Sequence, residues 1–285
     1  MGKQTKKKGS HFGGEWTREK LTIIDDYLKF YVTALSRQKV KLVYIDAFAG
    51  SGKTYLADGT EVDGSAVISL NYDFDEYFFI EIDEDRIASL MEIIKTRFPS
   101  KLSKIHIIND NCNESLKKIL AGLTVYQRGV MFLDPYALEL DWSILEKANE
   151  TKILDIWYLF PLNALTRNLP KKKALTDGTK AKLNAILGTA EWETKLYHES
   201  QQISIFGDIN YERVNFDELV AFIKERLSST FAYVSPKSRM LKNSKNSALF
   251  ILFYMMTNNS PKAIGLGSKV VNDIFTKIDE MAKGN

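Results

Sequence analysis

The sequence predicts a doubly wound α/β fold: a mostly parallel, Rossmann-like sheet of seven strands with an antiparallel last strand, preceded by a helix. Three observations lead there. Short apolar runs alternate with segments of helical periodicity from Leu42 to Phe160, which is the pattern of a parallel sheet with crossover helices. The first run ends in Ala49-Gly50-Ser51-Gly52, a turn small enough for a ligand to lie against its backbone. The run from Ala248 to Met256 is apolar without interruption, as a strand buried on both faces requires.

Before the first strand, Leu21, Ile24, Tyr27, Leu28, Tyr31, Val32 and Leu35 fall on one face of a helix, with Thr17 as its expected N-cap. That face packs on the sheet, and Trp16 at the helix start is placed either in the core or over a ligand site. Strands are expected at 42–48, 77–81, 105–110, 129–134 and 153–160, with helices near 65–72, 87–98, 116–120 and 142–148 between them. Residues 161–210 break the rhythm with Pro170, Lys171-Lys172-Lys173 and Asp177-Gly178, and read as a helical insertion over the sheet edge. A helix at 216–227, strands at 231–234 and 248–257 joined by a polar connection, and a terminal helix through Val270, Ile274 and Ile278 complete the domain. The chain thus divides into a basic tail at 1–10, expected to be disordered, and one domain over 11–285.

Composition narrows the function. The net charge of +3 owes four positive charges to Lys3, Lys6, Lys7 and Lys8, and removing those four from +3 leaves −1 on the remainder. Overall charge therefore identifies no partner, and only local clusters speak. The single cysteine, Cys112, excludes an internal disulfide and a cysteine-based metal cluster. His11, His106 and His198 lack metal-ligand spacing, so no metal site is expected. Neither a signal segment after Met1 nor an apolar run near the ~20 residues that span a bilayer is present, which predicts a cytoplasmic protein with no membrane partner.

Residues Ala47 to Thr54 read A-F-A-G-S-G-K-T and fit a relaxed phosphate-binding P-loop, and Val130 to Asp134 passes for its magnesium-binding strand. A P-loop holds phosphate at a helix that starts directly after the Lys-Ser/Thr pair. Here Asp58-Gly59 and Asp63-Gly64 follow instead, and helical periodicity resumes only at Ser65. Asp46 would also set a carboxylate near the phosphates.

Polar residues at successive strand ends suit S-adenosylmethionine better. Asp46 with Ala49, Gly50, Ser51 and Gly52 admits an amino-acid moiety to the backbone. Glu81 is placed to accept the ribose hydroxyls, with Asp83 either sharing that task or capping the next helix. Asp110, beside Asn111, is placed to accept from the adenine amine. The fourth strand ends in Asp134-Pro135-Tyr136, a carboxylate fixed by a proline with a ring beside it, and these three are the candidate catalytic residues. Enzymes that flip a nucleobase out of a helix need an acceptor for its amine and a ring to stack on. Basic residues at Lys171, Lys172, Lys173 and at Lys237, Arg239, Lys242, Lys245 are expected to flank Asp134 on one face, as a nucleic acid substrate would require.

The strings F-G-G-E-W-T-R-E-K-L (12–21), Y-I-D-A-F-A-G-S-G (44–52), F-I-E-I-D (79–83), F-L-D-P-Y-A (132–137), D-I-W-Y-L-F-P-L (155–162) and L-K-N-S (241–244) resemble the three-Cys-motif partner proteins, TcmP. The resemblance runs nearly end to end and implies a class I methyltransferase-like fold, methyltransferase activity and a radical-SAM-like three-Cys-motif protein as partner. Amino-methyltransferases of DNA commonly carry two prolines in the catalytic motif. Asp134-Pro135-Tyr136-Ala137 has one, and looks closer to the Asp-Pro-Phe-Gly of tRNA guanine-N2 methyltransferases. An alternative reading is a nucleoside-cofactor-binding module that serves the partner without catalysis of its own.

Overall fold

The structure is a computed structural model that describes residues 14–170, 175–200 and 211–283. The tail at 1–10 and Lys171, Lys172 and Lys173 lie outside the described residues.

The strands are β1 (Lys41–Asp46), β2 (Lys53–Tyr55), β3 (Glu61–Asp63), β4 (Glu76–Ile80), β5 (Ile105–Ile108), β6 (Gln127–Leu133), β7 (Leu154–Phe160), β8 (Tyr197–Glu199), β9 (Tyr211–Arg213), β10 (Tyr233–Val234), β11 (Arg239–Lys242) and β12 (Ala248–Met256). The main sheet runs β5-β4-β1-β6-β7-β12-β10, with β11 also on β12. The five strands from β5 to β7 are parallel, and β12 is antiparallel to β7, with Ile251 opposite Phe160 and Met256 opposite Asp155. Because β10 and β11 pair the same edge of β12, they act as one broken seventh strand, and Pro236, which has no amide N–H, sits in the break. The expected mostly parallel sheet of seven strands with an antiparallel last strand is therefore the one observed.

The helices are α1 (Glu15–Leu35), α2 (Ser65–Ser69), α3 (Glu84–Arg97), α4 (Cys112–Gly122), α5 (Trp142–Thr151), α6 (Leu162–Asn168), α7 (Asp177–Leu187), α8 (Trp192–Lys195), α9 (Phe216–Thr230) and α10 (Pro261–Lys283). Alternation along each strand divides them between two faces. On β12, Leu252, Tyr254 and Met256 pack with residues of α1, α2, α3 and α10, while Ile251, Phe253 and Met255 pack with those of α4, α5, α7 and α9. A central strand covered on both faces has to be apolar at every position, which is why these runs are continuous in the sequence.

The first helix starts earlier than its sequence suggests. Gly14 precedes α1, and Thr17 sits inside the first turn, where its buried hydroxyl accepts the Gly14 N–H at 3.3 Å. Thr17 thus secures the helix start from the third position instead of capping it. Further along, Tyr27 reaches through the core to donate to Asp155 at 2.6 Å and lies 2.8 Å from the Tyr254 hydroxyl. Burial pushes the Asp155 carboxyl up to about 6. This contact ties α1 to β7 and β12, and so fixes where the helix start lies over the sheet.

Residues 161–210 carry α6, α7 and α8 and, beyond the expected helices, the strand β8, which pairs with β9. No described helix is long and apolar enough to cross a membrane.

Candidate active site at the carboxyl ends of the strands

The glycine turn follows from how β1 ends. The Asp46 carboxylate accepts the Phe48 N–H at 3.2 Å and turns the chain out of the ladder, while the Ala49 N–H donates to Ile80 at 2.9 Å. Gly50 and Gly52 then take left-handed backbone, at φ of 63° and 79°. They differ in surroundings. A Cβ on Gly52 would meet Leu90 at 2.8 Å and Val67 at 2.9 Å, so this glycine lets the turn lie on α2 and α3. A Cβ on Gly50 would meet nothing, so its backbone faces open space.

Directly after this turn the chain enters the β2–β3 hairpin, where Lys53 pairs with Glu61 at 2.5 Å, and the next helix begins only at Ser65. The P-loop reading fails on that geometry, because no helix N-terminus stands behind Lys53 and Thr54. The hairpin itself, short and polar, is foreshadowed in the sequence only by its Asp-Gly turn.

Glu81 follows β4 and is 8% exposed. Its Oε2 accepts the Gly50 N–H at 3.0 Å, and its Oε1 accepts the N–H groups of Ile82 at 2.9 Å and Asp83 at 3.0 Å. The carboxylate thus links the glycine turn to the end of β4. Three of its roughly four acceptor positions take backbone N–H groups and the Arg86 guanidinium stands 3.7 Å from Oε2, so a diol approaching it competes with Gly50 and with that ion pair.

Asp110 and Asn111 lie just past β5. Asn111 caps α4 through the Asn113 N–H at 2.9 Å, and Asp83 caps α3 through the Arg86 N–H at 3.0 Å. Asp110 accepts the Asn111 N–H at 2.7 Å and keeps Lys118 at 3.7 Å.

At the end of β6, Asp134 Oδ2 meets the Lys20 ammonium at 2.5 Å, with the two side chains only 22% and 10% exposed. Lys20 Nζ also stands 5.4 Å from the Trp16 ring centre, and Trp16 lies 5.1 Å from Phe250 of β12. Tyr136 is 66% exposed beside them.

One cleft of about 570 Å³ collects most of these groups. Gly50, Ser51, Glu81, Asp110, Asn111, Asp134, Pro135 and Tyr136 line it, together with Trp16, Lys20 and Phe250. Of the sequence candidates, Asp46, Ala49, Gly52 and Asp83 do not line it. Asp46 is fully buried under the turn, where desolvation pushes its carboxyl up to about 7 against the lowering effect of hydrogen bonds from Ser65 and Phe48. Lys20 and Phe250 lie in stretches that the sequence marks as a family string and a buried strand, but neither is among the sequence candidates for the site. The only local hint of Lys20 is its spacing of four from Trp16, which puts both on one side of α1.

The basic flank is partly reassigned. Lys242 and Lys245 lie at the turn before β12, at the carboxyl edge. Arg239 instead pairs with Leu252 further along β12, and its guanidinium is held by Glu19 and Asp279. Lys237 precedes Arg239 in the break between β10 and β11, away from that edge. Among the described residues no cluster of histidine, cysteine and carboxylate side chains could hold a metal.

The sequence matches no protein-family model and none of the curated proteins. Among solved structures it is similar to protein LPL1258 from Legionella pneumophila str. Philadelphia 1, at a TM-score of 0.53 and 11% identity over 93% of both chains. Looser likenesses are to spermidine synthase from Thermotoga maritima, at a TM-score of 0.44 and 10% identity over 87% of this chain and 62% of that one, and to the methyltransferase domain of bacterial CtHen1-C, at 0.39 and 11% over 82% and 98%. The likeness to LPL1258 extends along nearly the whole chain and shows a shared fold. With β12 antiparallel between β7 and the broken edge strand, the sheet has the Rossmann-like strand order of a methyltransferase-like fold.

Proposed function

We propose that this chain binds S-adenosylmethionine in the cleft and directs methyl transfer to an exocyclic amine of a nucleic acid base. One observation carries the reading: a single cleft joins Gly50, Ser51, Glu81, Asp110 and Asn111 to Asp134, Pro135 and Tyr136. The residues present fit the cofactor. Gly50 would take its amino-acid end against the open backbone, Glu81 would accept from its ribose, and Asp110 and Asn111 would lie toward its adenine. When bound, S-adenosylmethionine supplies an electrophilic methyl group on a sulfonium sulfur. The chain's own part is to hold the acceptor. Asp134 accepts an N–H of the amine and orients the nitrogen lone pair, Pro135 fixes the turn, and Tyr136 with Trp16 and Phe250 offers aromatic surface to a planar ring.

In this proposal the chain is a three-Cys-motif partner protein, and its partner is a radical-SAM-like three-Cys-motif protein. A second reading is a cofactor-holding module for that partner, without catalysis of its own. The ion pair that engages Asp134 Oδ2 favours it, since one carboxylate oxygen is already committed.

Calorimetric titration with S-adenosylhomocysteine and with Mg-ATP tests the cofactor, and only the first is expected to bind. Transfer of labelled methyl to RNA, DNA and protein, with and without the partner, tests catalysis. Asp134→Asn is expected to keep S-adenosylhomocysteine affinity and lose transfer. Full transfer in that variant refutes the base-amine mechanism, and cofactor binding with no transfer under any condition leaves the module reading.

A further inference from the structure

An aromatic wall beside a carboxylate admits two ligands of opposite charge character. Trp16, Phe250 and Tyr136 near Asp134 would suit a neutral planar amine, stacked and hydrogen-bonded, or an alkyl ammonium ion held by cation–π attraction and an ion pair. Lys20 decides between them. Its ammonium lies 2.5 Å from Asp134 Oδ2, 5.4 Å from the Trp16 ring centre and 6.0 Å from that of Phe132. The chain thus supplies the cation that this arrangement would otherwise bind.

We infer that Lys20 is a positioning residue that makes the acceptor site selective for a neutral aromatic amine and closes it to aliphatic ammonium ions. The inference rests on the proposed methyltransferase reading and names the substrate class of the same site. An entering ammonium would share one carboxylate with Lys20 at short range in a partly buried cleft, where like charges repel strongly. An aliphatic amine carries its proton near neutral pH, as lysine does with an ordinary pKa of about 10.4. The amino group of a nucleobase is uncharged there and needs only an acceptor. Asp134 Oδ1 takes no hydrogen bond among the described residues, so it is available to one N–H of such a group while Lys20 holds Oδ2 in place.

The test is binding to the protein saturated with S-adenosylhomocysteine, read by ligand-observed NMR near neutral pH. The probes are 9-methyladenine, with a neutral ring amine, and 1,4-diaminobutane, an aliphatic diammonium. Wild type is expected to bind 9-methyladenine and to prefer it over diaminobutane. Lys20→Met, which keeps a long apolar stem but no charge, is expected to bind diaminobutane about tenfold more tightly or better. Lys20→Arg is expected to restore the wild-type preference, which a purely structural role of the stem would not produce. Unchanged diaminobutane affinity in Lys20→Met overturns the inference, and so does a wild type that prefers diaminobutane or binds neither probe. If Lys20→Met does not fold, the wild-type preference and the Lys20→Arg result still decide. Failure of S-adenosylhomocysteine to bind appears in its own titration and refutes the cofactor reading, and the inference with it.

Discussion

Glu81 is the residue whose replacement tests the proposed cofactor site most directly, and its hydrogen bonds determine which substitution to use. Alanine would strand the Gly50, Ile82 and Asp83 N–H groups at once, and a loss of binding would then report a collapsed turn. Glutamine keeps the shape and one acceptor oxygen. That oxygen can serve Ile82 and Asp83 together, as Oε1 does now, while the amide NH2 then faces the Gly50 N–H as donor against donor. Loss of one backbone partner costs about 1–2 kcal/mol, and with about 2–4 °C per kcal/mol for a chain of this size the unliganded variant should melt several degrees lower. Loss of the charged acceptor for a ribose hydroxyl should weaken S-adenosylhomocysteine by ~2–3 kcal/mol, or about 30- to 150-fold. Calorimetric titration well below both melting temperatures separates the two effects. Equal affinity in wild type and Glu81→Gln would remove Glu81 from the cofactor site.

The buried carboxyl of Asp46, raised to about 7 by desolvation, binds its proton in the folded chain at a pH where the unfolded chain has lost it, so stability should fall as pH rises from about 4 to 7. Between about pH 8 and pH 5 wild type should gain ~2–3 kcal/mol more than Asp46→Asn in denaturant titration, and parallel pH profiles would count against a buried acid at this position. Asp83→Ala removes the cap of α3 and should cost ~1 kcal/mol of stability while leaving S-adenosylhomocysteine affinity within about twofold, because Asp83 lies off the cleft. Burial pushes the Cys112 thiol up to about 12, so iodoacetamide at neutral pH should add no mass to the native protein; prompt alkylation would show an open thiol. If nucleic acid binds at the carboxyl edge, neutralising Lys242 and Lys245 should flatten the salt dependence of affinity by about one unit each, whereas Arg239→Gln should lower the melting temperature and leave that slope alone, since its carboxylate partners already hold it.

What the sequence reveals of this fold is set by how far each signal reaches. The strands β1, β4, β6, β7 and β12 are covered on both faces, and that condition forces apolar side chains at nearly every position, so each one is visible in isolation. Strand β11 is not. Arg239-Met240-Leu241-Lys242 pairs with only one neighbour and begins and ends in a basic residue, so it resembles a polar connection. Acids at strand ends are equally two-sided. Asp83 and Asn111 occupy the positions expected of cofactor ligands, yet both satisfy the first turn of the following helix, and only their placement relative to the cleft separates the roles: Asn111 lines it and Asp83 does not.

The part of the site that the sequence conceals is the part assembled across distance. Asp134 stands out through its proline and its strand end, but its partner is 114 residues away on a helix whose face reads simply as core. Apart from its spacing of four from Trp16, nothing local distinguishes Lys20 from Lys29, the other lysine of α1. Its position follows from Tyr27, which is anchored to Asp155 and Tyr254 in the core two turns later and thereby sets the height at which the start of α1 crosses the sheet. The same anchoring brings Trp16 against Phe250. The geometry at Asp134 therefore depends on a hydrogen bond in the hydrophobic core at the opposite end of β7, and a change at Tyr27 that leaves the core packed should still be felt at the Lys20–Asp134 pair.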